Sequence, residues 1–169
     1  MRLVTLALLI IAFASTAAPP RYNCNEVTEH RQFDFWLGDW EVVDRNGTLA
    51  GRNTISRNEH GCLLVEHWRG TSGPEGQSIN FFDPETGQWR QIWISGTNRI
   101  DIAGGWNDGT MTMVGSIYYF SNGAKVPFRG RWTPMEDGRV RQFFEQQNRA
   151  GEWRPWFEGF YQRVSLDDG

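Results

Sequence analysis

From Trp40 to Val164 the sequence is divided into ten short runs of strand-forming residues, and no gap between runs is long enough to hold a crossover. Parallel neighbours need a connection of a dozen residues or more, so each run must pair antiparallel with the next. The runs are 40–44, 49–57, 62–69, 77–82, 88–95, 99–104, 111–120, 125–133, 140–147 and 154–164. Turn chemistry fills the gaps: Asn46-Gly47, Asp83-Pro84-Glu85-Thr86-Gly87, Asn107-Asp108-Gly109, Ser121-Asn122-Gly123, Asp137-Gly138 and Ala150-Gly151. A meander of ten strands leaves two unpaired edges unless it closes. The expected fold is all-β: a closed antiparallel up-and-down β-barrel of about ten strands with a short N-terminal helix.

The helix is expected over 28–38, with Thr28 as N-cap, Glu29 in the first turn and Gly38 in the left-handed C-terminal position. Phe33, Trp36 and Leu37 then share one face, which must pack onto something large. With nine Trp and 11 Phe in 169 residues, the chain can build a core of useful size. No second domain, linker or repeat is visible.

The first residues read as an address. Arg2 precedes an apolar run from Leu3 to Phe13, broken only by Thr5, and the small residues Ala14-Ser15-Thr16-Ala17-Ala18 follow. This is the order of a secretory signal peptide, and its apolar run is too short to span a bilayer. Residues 1–17 are expected to be removed, leaving 18–27 as an arm and 28–166 as the barrel domain, secreted or periplasmic and without a membrane span. Loss of Arg2 leaves 16 basic against 20 acidic side chains, a net charge of −4. That balance argues against nucleic acid as a partner. Arg129 and Arg131 alternate with Phe128, Gly130 and Trp132, and such a balance makes theirs an outward, solvated face.

Cys24 and Cys62 are the only cysteines, and in an oxidising compartment one bridge from the arm to the barrel is expected. The alternative is an unreacted, buried Cys62 and an exposed Cys24. No cysteine pair has the short spacing of a zinc site, and no metal or other cofactor is expected. Asn46-Gly47-Thr48 fits a glycosylation sequon, but its Asn-Gly reads first as a hairpin turn.

Several strands place aromatics beside Gln or Glu on one face. Trp89, Gln91, Trp93 and Ser95 alternate together, as do Cys62, Leu64, Glu66 and Trp68. Phe143, Glu145 and Gln147 form a third such set, and Trp156, Glu158, Phe160 and Gln162 a fourth. Mixed faces suit a lumen that holds an amphipathic small molecule, with aromatics giving contact area and polar groups orientation. Trp68, Trp89, Gln91, Trp93, Glu145, Trp156 and Glu158 are the candidate lining. The alternative is a barrel filled by its own aromatics, with Glu and Gln outward.

The string Phe33-Asp34-Phe35-Trp36-Leu37-Gly38-Asp39-Trp40 resembles the opening of an uncharacterised, often secreted bacterial family. Asn80-Phe81-Phe82-Asp83-Pro84, Trp132-Thr133-Pro134 and the closing Tyr161-Gln162-Arg163 are similar to it too. The resemblance covers nearly all of the mature chain and implies no particular activity. A wider likeness is to calycin-like barrels (lipocalin, fatty-acid-binding and nitrobindin types). It implies that Gly38, Trp40 and Arg163 are structural, with the last-strand Arg packed on the first-strand Trp.

A nitrobindin-type haem site would need a histidine, and His67 alone lies deep in a strand, alternating away from Glu66 and Trp68. There is no Gly-x-Ser-x-Gly elbow, phosphate-binding glycine loop or His-Glu-x-x-His. Glu66, Glu145 or Glu158 beside aromatics could serve as a general acid or base, or could pair with Arg141, Arg154 or Arg163. The leading expectation is an exported protein binding a small hydrophobic or amphipathic ligand. The alternatives are a barrel enzyme of isomerase, cyclase or hydrolase type and a structural or interaction protein of the envelope. Intact-mass measurement of the exported protein should give an N-terminus at Ala18; an unprocessed Met1 would overturn the signal-peptide reading.

Overall fold

The computed structural model describes residues 22–73 and 75–164; the expected signal peptide and its cleavage point lie outside them. Two 3-10 turns, Thr28–Arg31 and Asp34–Trp36, precede ten strands. The strands are β1 (Gly38–Val43), β2 (Leu49–Asn58), β3 (Leu63–Gly70), β4 (Gly76–Asp83), β5 (Gln88–Ser95), β6 (Asn98–Asn107), β7 (Thr110–Tyr119), β8 (Lys125–Pro134), β9 (Val140–Gln147) and β10 (Trp153–Arg163). Each pairs antiparallel with its sequence neighbours, and β1 pairs with β10, so the sheet closes into one barrel. Among the described residues no helix is long and apolar enough to cross a membrane.

The expected short N-terminal helix is present, wound as the two 3-10 turns and not as one α-helix to Gly38. Thr28 makes no capping bond from its side chain, and Val27 occupies the cap position. The tighter winding brings residues three apart into line, and Phe33 stacks on Trp36 with centroids 4.9 Å apart. Over so few residues, a period of 3.6 cannot be told from one of 3.0 in the sequence. Gly38 does take a positive φ, +124°, but already as the first residue of β1.

This N-terminal segment plugs one end of the barrel. Phe33 meets Trp89 and Trp132 edge-on, Trp36 packs on Trp132 and Tyr161, and all five residues are buried. Trp89 donates its indole N–H to Glu29 O at 3.0 Å, and Trp40 donates to Trp36 O at 2.9 Å. Asp34 pairs with Arg57 of β2 and with Arg31. The disulfide Cys24–Cys62 ties the arm to the β2–β3 connection, with Cα atoms 5.1 Å apart. By the chain-entropy relation, a loop of 38 residues closed in this way is worth about 4 kcal/mol.

Barrel closure and plug meet at Trp40. It lies opposite Arg163 in the β1–β10 register, and the guanidinium sits 4.3 Å above its ring. Arg163 also donates to Leu37 O at 3.1 Å. A Cβ on Gly38 would fall 2.5 Å from Arg163 Nη1, so a side chain there would displace the arginine. Trp40→Ala should cost about 3–5 kcal/mol and Arg163→Ala about 1 kcal/mol. Both are read from urea unfolding midpoints, and an Arg163→Ala protein as stable as wild type would show that the ring needs no guanidinium.

Candidate functional site

The hairpins opposite the plug, β1–β2, β3–β4 and β5–β6 among them, surround the mouth of a cavity of about 620 Å³ inside the barrel. Its wall is largely aromatic. Trp68, Trp93, Trp156, Phe144 and Phe157 line it, with Tyr119 near the rim. Such large rings would fill a barrel of this width if they pointed at its axis. They lie against the wall instead, over inward-facing glycines. A Cβ at Gly76 would meet Trp93 Cζ2 at 2.2 Å, one at Gly51 would meet Trp68 at 2.7 Å, and one at Gly130 would meet Phe144 at 2.5 Å. Glycine beneath an aromatic ring costs strand stability but gives the ring a surface to cover.

The base of the cavity is polar. Glu66 of β3 accepts from Asn53 Nδ2 at 2.7 Å and from Ser78 Oγ at 2.6 Å. Asn53 also donates to Tyr161 Oη at 3.0 Å, and Tyr161 donates to Gln142. Behind Ser78, Asn80 Nδ2 donates to Ser78 Oγ and Gln91 Nε2 donates to Asn80 Oδ1, each at 2.8 Å. All of these residues are buried. Four of these six bonds join neighbouring strands, because inward residues of an antiparallel sheet stand side by side across it; Asn80 to Ser78 runs along β4, and Asn53 to Tyr161 reaches past β1.

Glu66 is 3% exposed and has no cationic partner in this cluster. Burial pushes its carboxyl up to about 7, against smaller opposing effects of the bonds from Ser78 and Asn53. Burial likewise holds the Tyr161 hydroxyl well above the usual phenol range, with the Glu66 charge adding to it. The site therefore offers one carboxyl able to change charge near neutrality, amid neutral hydrogen-bonding groups and indole rings.

Four of the seven residues expected to line the lumen do so: Trp68, Gln91, Trp93 and Trp156. Trp89 points inward but lies at the plugged end, in contact with Phe33 and Phe82. Glu145 and Glu158 face outward. Glu145 is covered by Arg129 and Arg131, and the Arg129 hydrogen bond above all holds its carboxyl below the usual range. Glu158 bonds to Arg141 and Arg45; burial pushes its carboxyl up, but those bonds outweigh it and the net shift is downward. His67 is exposed on the outer face of β3, with its ring away from the lumen.

The error on Glu145 is one of phase, since β9 turns Val140, Gln142 and Phe144 inward. On β10 a bulge is responsible. Pro155 pairs with Glu145 and Phe157 with Phe144, leaving Trp156 as the extra residue between them. Trp156 and Phe157 both reach the cavity, and every residue beyond the bulge changes face relative to a strict alternation from Trp156. Asn53, Ser78, Asn80, Gln142 and Tyr161 were missed. The alternation Gly51-Asn53-Ile55 and Val140-Gln142-Phe144, polar among small or apolar residues, carried the same signal as Trp89-Gln91-Trp93.

Fold and site together define a ten-stranded up-and-down barrel, plugged at one end and hollow at the other, a form compatible with the calycin-like barrels. No protein-family model matches the chain, and no curated protein matches it.

A pH dependence follows from Glu66. Its folded pKa lies above the ordinary value of 4.5, so the folded state holds the proton more tightly than the unfolded chain does. The associated stability is full below about pH 4.5 and is lost as pH rises through about 7, to the extent of about 3 kcal/mol. Glu66→Gln should be closer to wild type in stability at pH 5 and more stable than wild type at pH 8, measured by urea unfolding. An equal stability difference at the two pH values would show that Glu66 titrates normally.

Proposed function

We propose that this chain is an exported binding protein that holds one small amphipathic molecule inside its barrel. The observation that carries the reading is the cavity itself: about 620 Å³, open at one end, with an aromatic wall and a polar base. A cavity of this volume lies within the usual range for small-molecule sites. Barrel filling alone does not account for Asn53, Glu66, Gln91 and Gln142 being buried at its base, where each must be held by hydrogen bonds to offset desolvation. The Cys24–Cys62 bridge supports an oxidising destination, in keeping with the signal-peptide reading of residues 1–17. Kinship with the secreted family and with calycin-like barrels is part of the same proposal, supported by the plug, by barrel closure and by Arg163 over Trp40.

A second reading, acid–base catalysis on a bound molecule, is favoured by one observation, the Glu66 carboxyl poised near neutrality in the cavity. Glu145 and Glu158 have no share in it, since both carboxylates are engaged by arginines on the outer face.

Binding is tested by mass spectrometry on the exported protein, native and then denatured, and by titration with the neutral fluorophore Nile red. A stoichiometric released molecule, or saturable one-to-one Nile red binding that weakens at least tenfold in Gly76→Val, is the expected result. The valine would drive Trp93 off its wall and into the cavity. Absence of both released molecule and dye binding would overturn the proposal.

A further inference from the structure

We propose that the ligand is an organic cation, an amphipathic ammonium whose head lies toward Glu66 and whose body lies among the tryptophans. The inference rests on the binding function proposed above and adds the charge of the ligand to it.

The lining carries charge of one sign. Among the described residues, Glu66 at the base and Asp44 at the rim line the cavity, and no Arg, Lys or His does. Asp44 is held below the usual carboxylate range, chiefly by the backbone N–H of Thr48 and that of Asn46, so the rim is negative at neutral pH. A carboxylate or phosphate head would enter without a countercharge and would leave its water beside Glu66. An ammonium would find a carboxylate, and the indole faces of Trp68, Trp93 and Trp156 attract cations as well as apolar surface.

The hydrogen-bond directions agree. From Gln91 to Asn80, from Asn80 to Ser78 and from Ser78 to Glu66, each group donates toward the carboxylate. Gln91 thereby spends an N–H within the protein and keeps its carbonyl Oε1 without a partner, and Asn98 Oδ1 is left in the same condition. Both residues are buried and both line the cavity. The fully buried atoms of the lining that lack a partner are thus two acceptors and one donor, the Trp93 indole N–H. Acceptors need a ligand with N–H donors, or one with positive charge on its surface.

Proton linkage provides a second readout. The groups facing Glu66 are Asn53 on β2 and Ser78 on β4, with Gln91 on β5, Gln142 on β9 and Tyr161 on β10 completing the base. Only Tyr161 among these titrates, and burial keeps it neutral. A cation that needs ionised Glu66 binds more tightly as pH rises through about 7.

Three probes of matched chain length decide the point by calorimetry: decyltrimethylammonium, decanol and decanoate. At pH 8 the ammonium is expected to bind roughly tenfold or more tighter than decanoate, with decanol between them. Its affinity should rise about tenfold from pH 6 to pH 8 in wild type, and in Glu66→Gln the pH dependence should vanish and the preference should shrink. The wild-type comparison stands without the variant. Equal or tighter binding of decanoate overturns the cation proposal and leaves the cavity reading intact. Failure of all three probes alongside binding of Nile red also overturns it, and failure of Nile red as well removes the binding function itself.

Discussion

The structure depends on closure of the sheet between its first and last strands. An open ten-stranded meander would expose the N–H and C=O groups of two edges, each a site for pairing with another chain. Pairing β1 with β10 removes both edges, and Trp40 against Arg163 marks the seam. The same tryptophan bonds back to Trp36 of the plug, so closure of the wall and closure of the end are one event in packing. Phe33 and Trp36 then draw Trp89, Trp132 and Tyr161 into a single aromatic cluster at that end.

Concentrating the plug at one end leaves the other end to be hollow. Volume is preserved there by placement of side chains and not by small residues alone, since three tryptophans and two phenylalanines stand in the wall. Glycine on a neighbouring strand lets each ring lie flat, as Gly76 does for Trp93 and Gly51 for Trp68. The polar base has a comparable economy. Seven buried polar side chains from six strands bond to one another in a connected set, which tolerates a carboxyl group without any arginine or lysine beside it. An isolated carboxylate in such a place would be very costly, and the neutral form near physiological pH lowers that cost.

On the outer surface, arginines carry out the opposite task. Arg129 and Arg131 cover Glu145, and Arg141 and Arg45 hold Glu158. The barrel thus pairs these two glutamates on its outside and leaves Glu66 unpaired within. Local sequence around the three glutamates is similar, each lying among aromatics, so charge pairing across strands is what separates them.

The amino-acid sequence by itself determined the class of fold. Ten strand-forming runs joined by Asn-Gly, Pro and Gly turns can only meander antiparallel, and such a meander avoids edges by closing. Turn chemistry and short connections are local properties, so they are legible in order along the chain. Four of the lining residues were legible for the same reason, because β3 and β5 keep strict alternation and Trp156 happens to be the bulged residue. The plug's 3-10 winding was not legible, because over so few residues a period of 3.0 reads the same as one of 3.6, and the rings that receive Phe33 and Trp36 come from β5 and β8, far along the chain. Nor was the phase of β9 and β10, since alternation states which residues share a face but not which face is inside. That choice, the bulge at Trp156 and the meeting of Glu66 with Asn53, Ser78 and Tyr161 were decided by the tertiary structure, where packing across strands far apart in sequence selects one side of each strand for the interior.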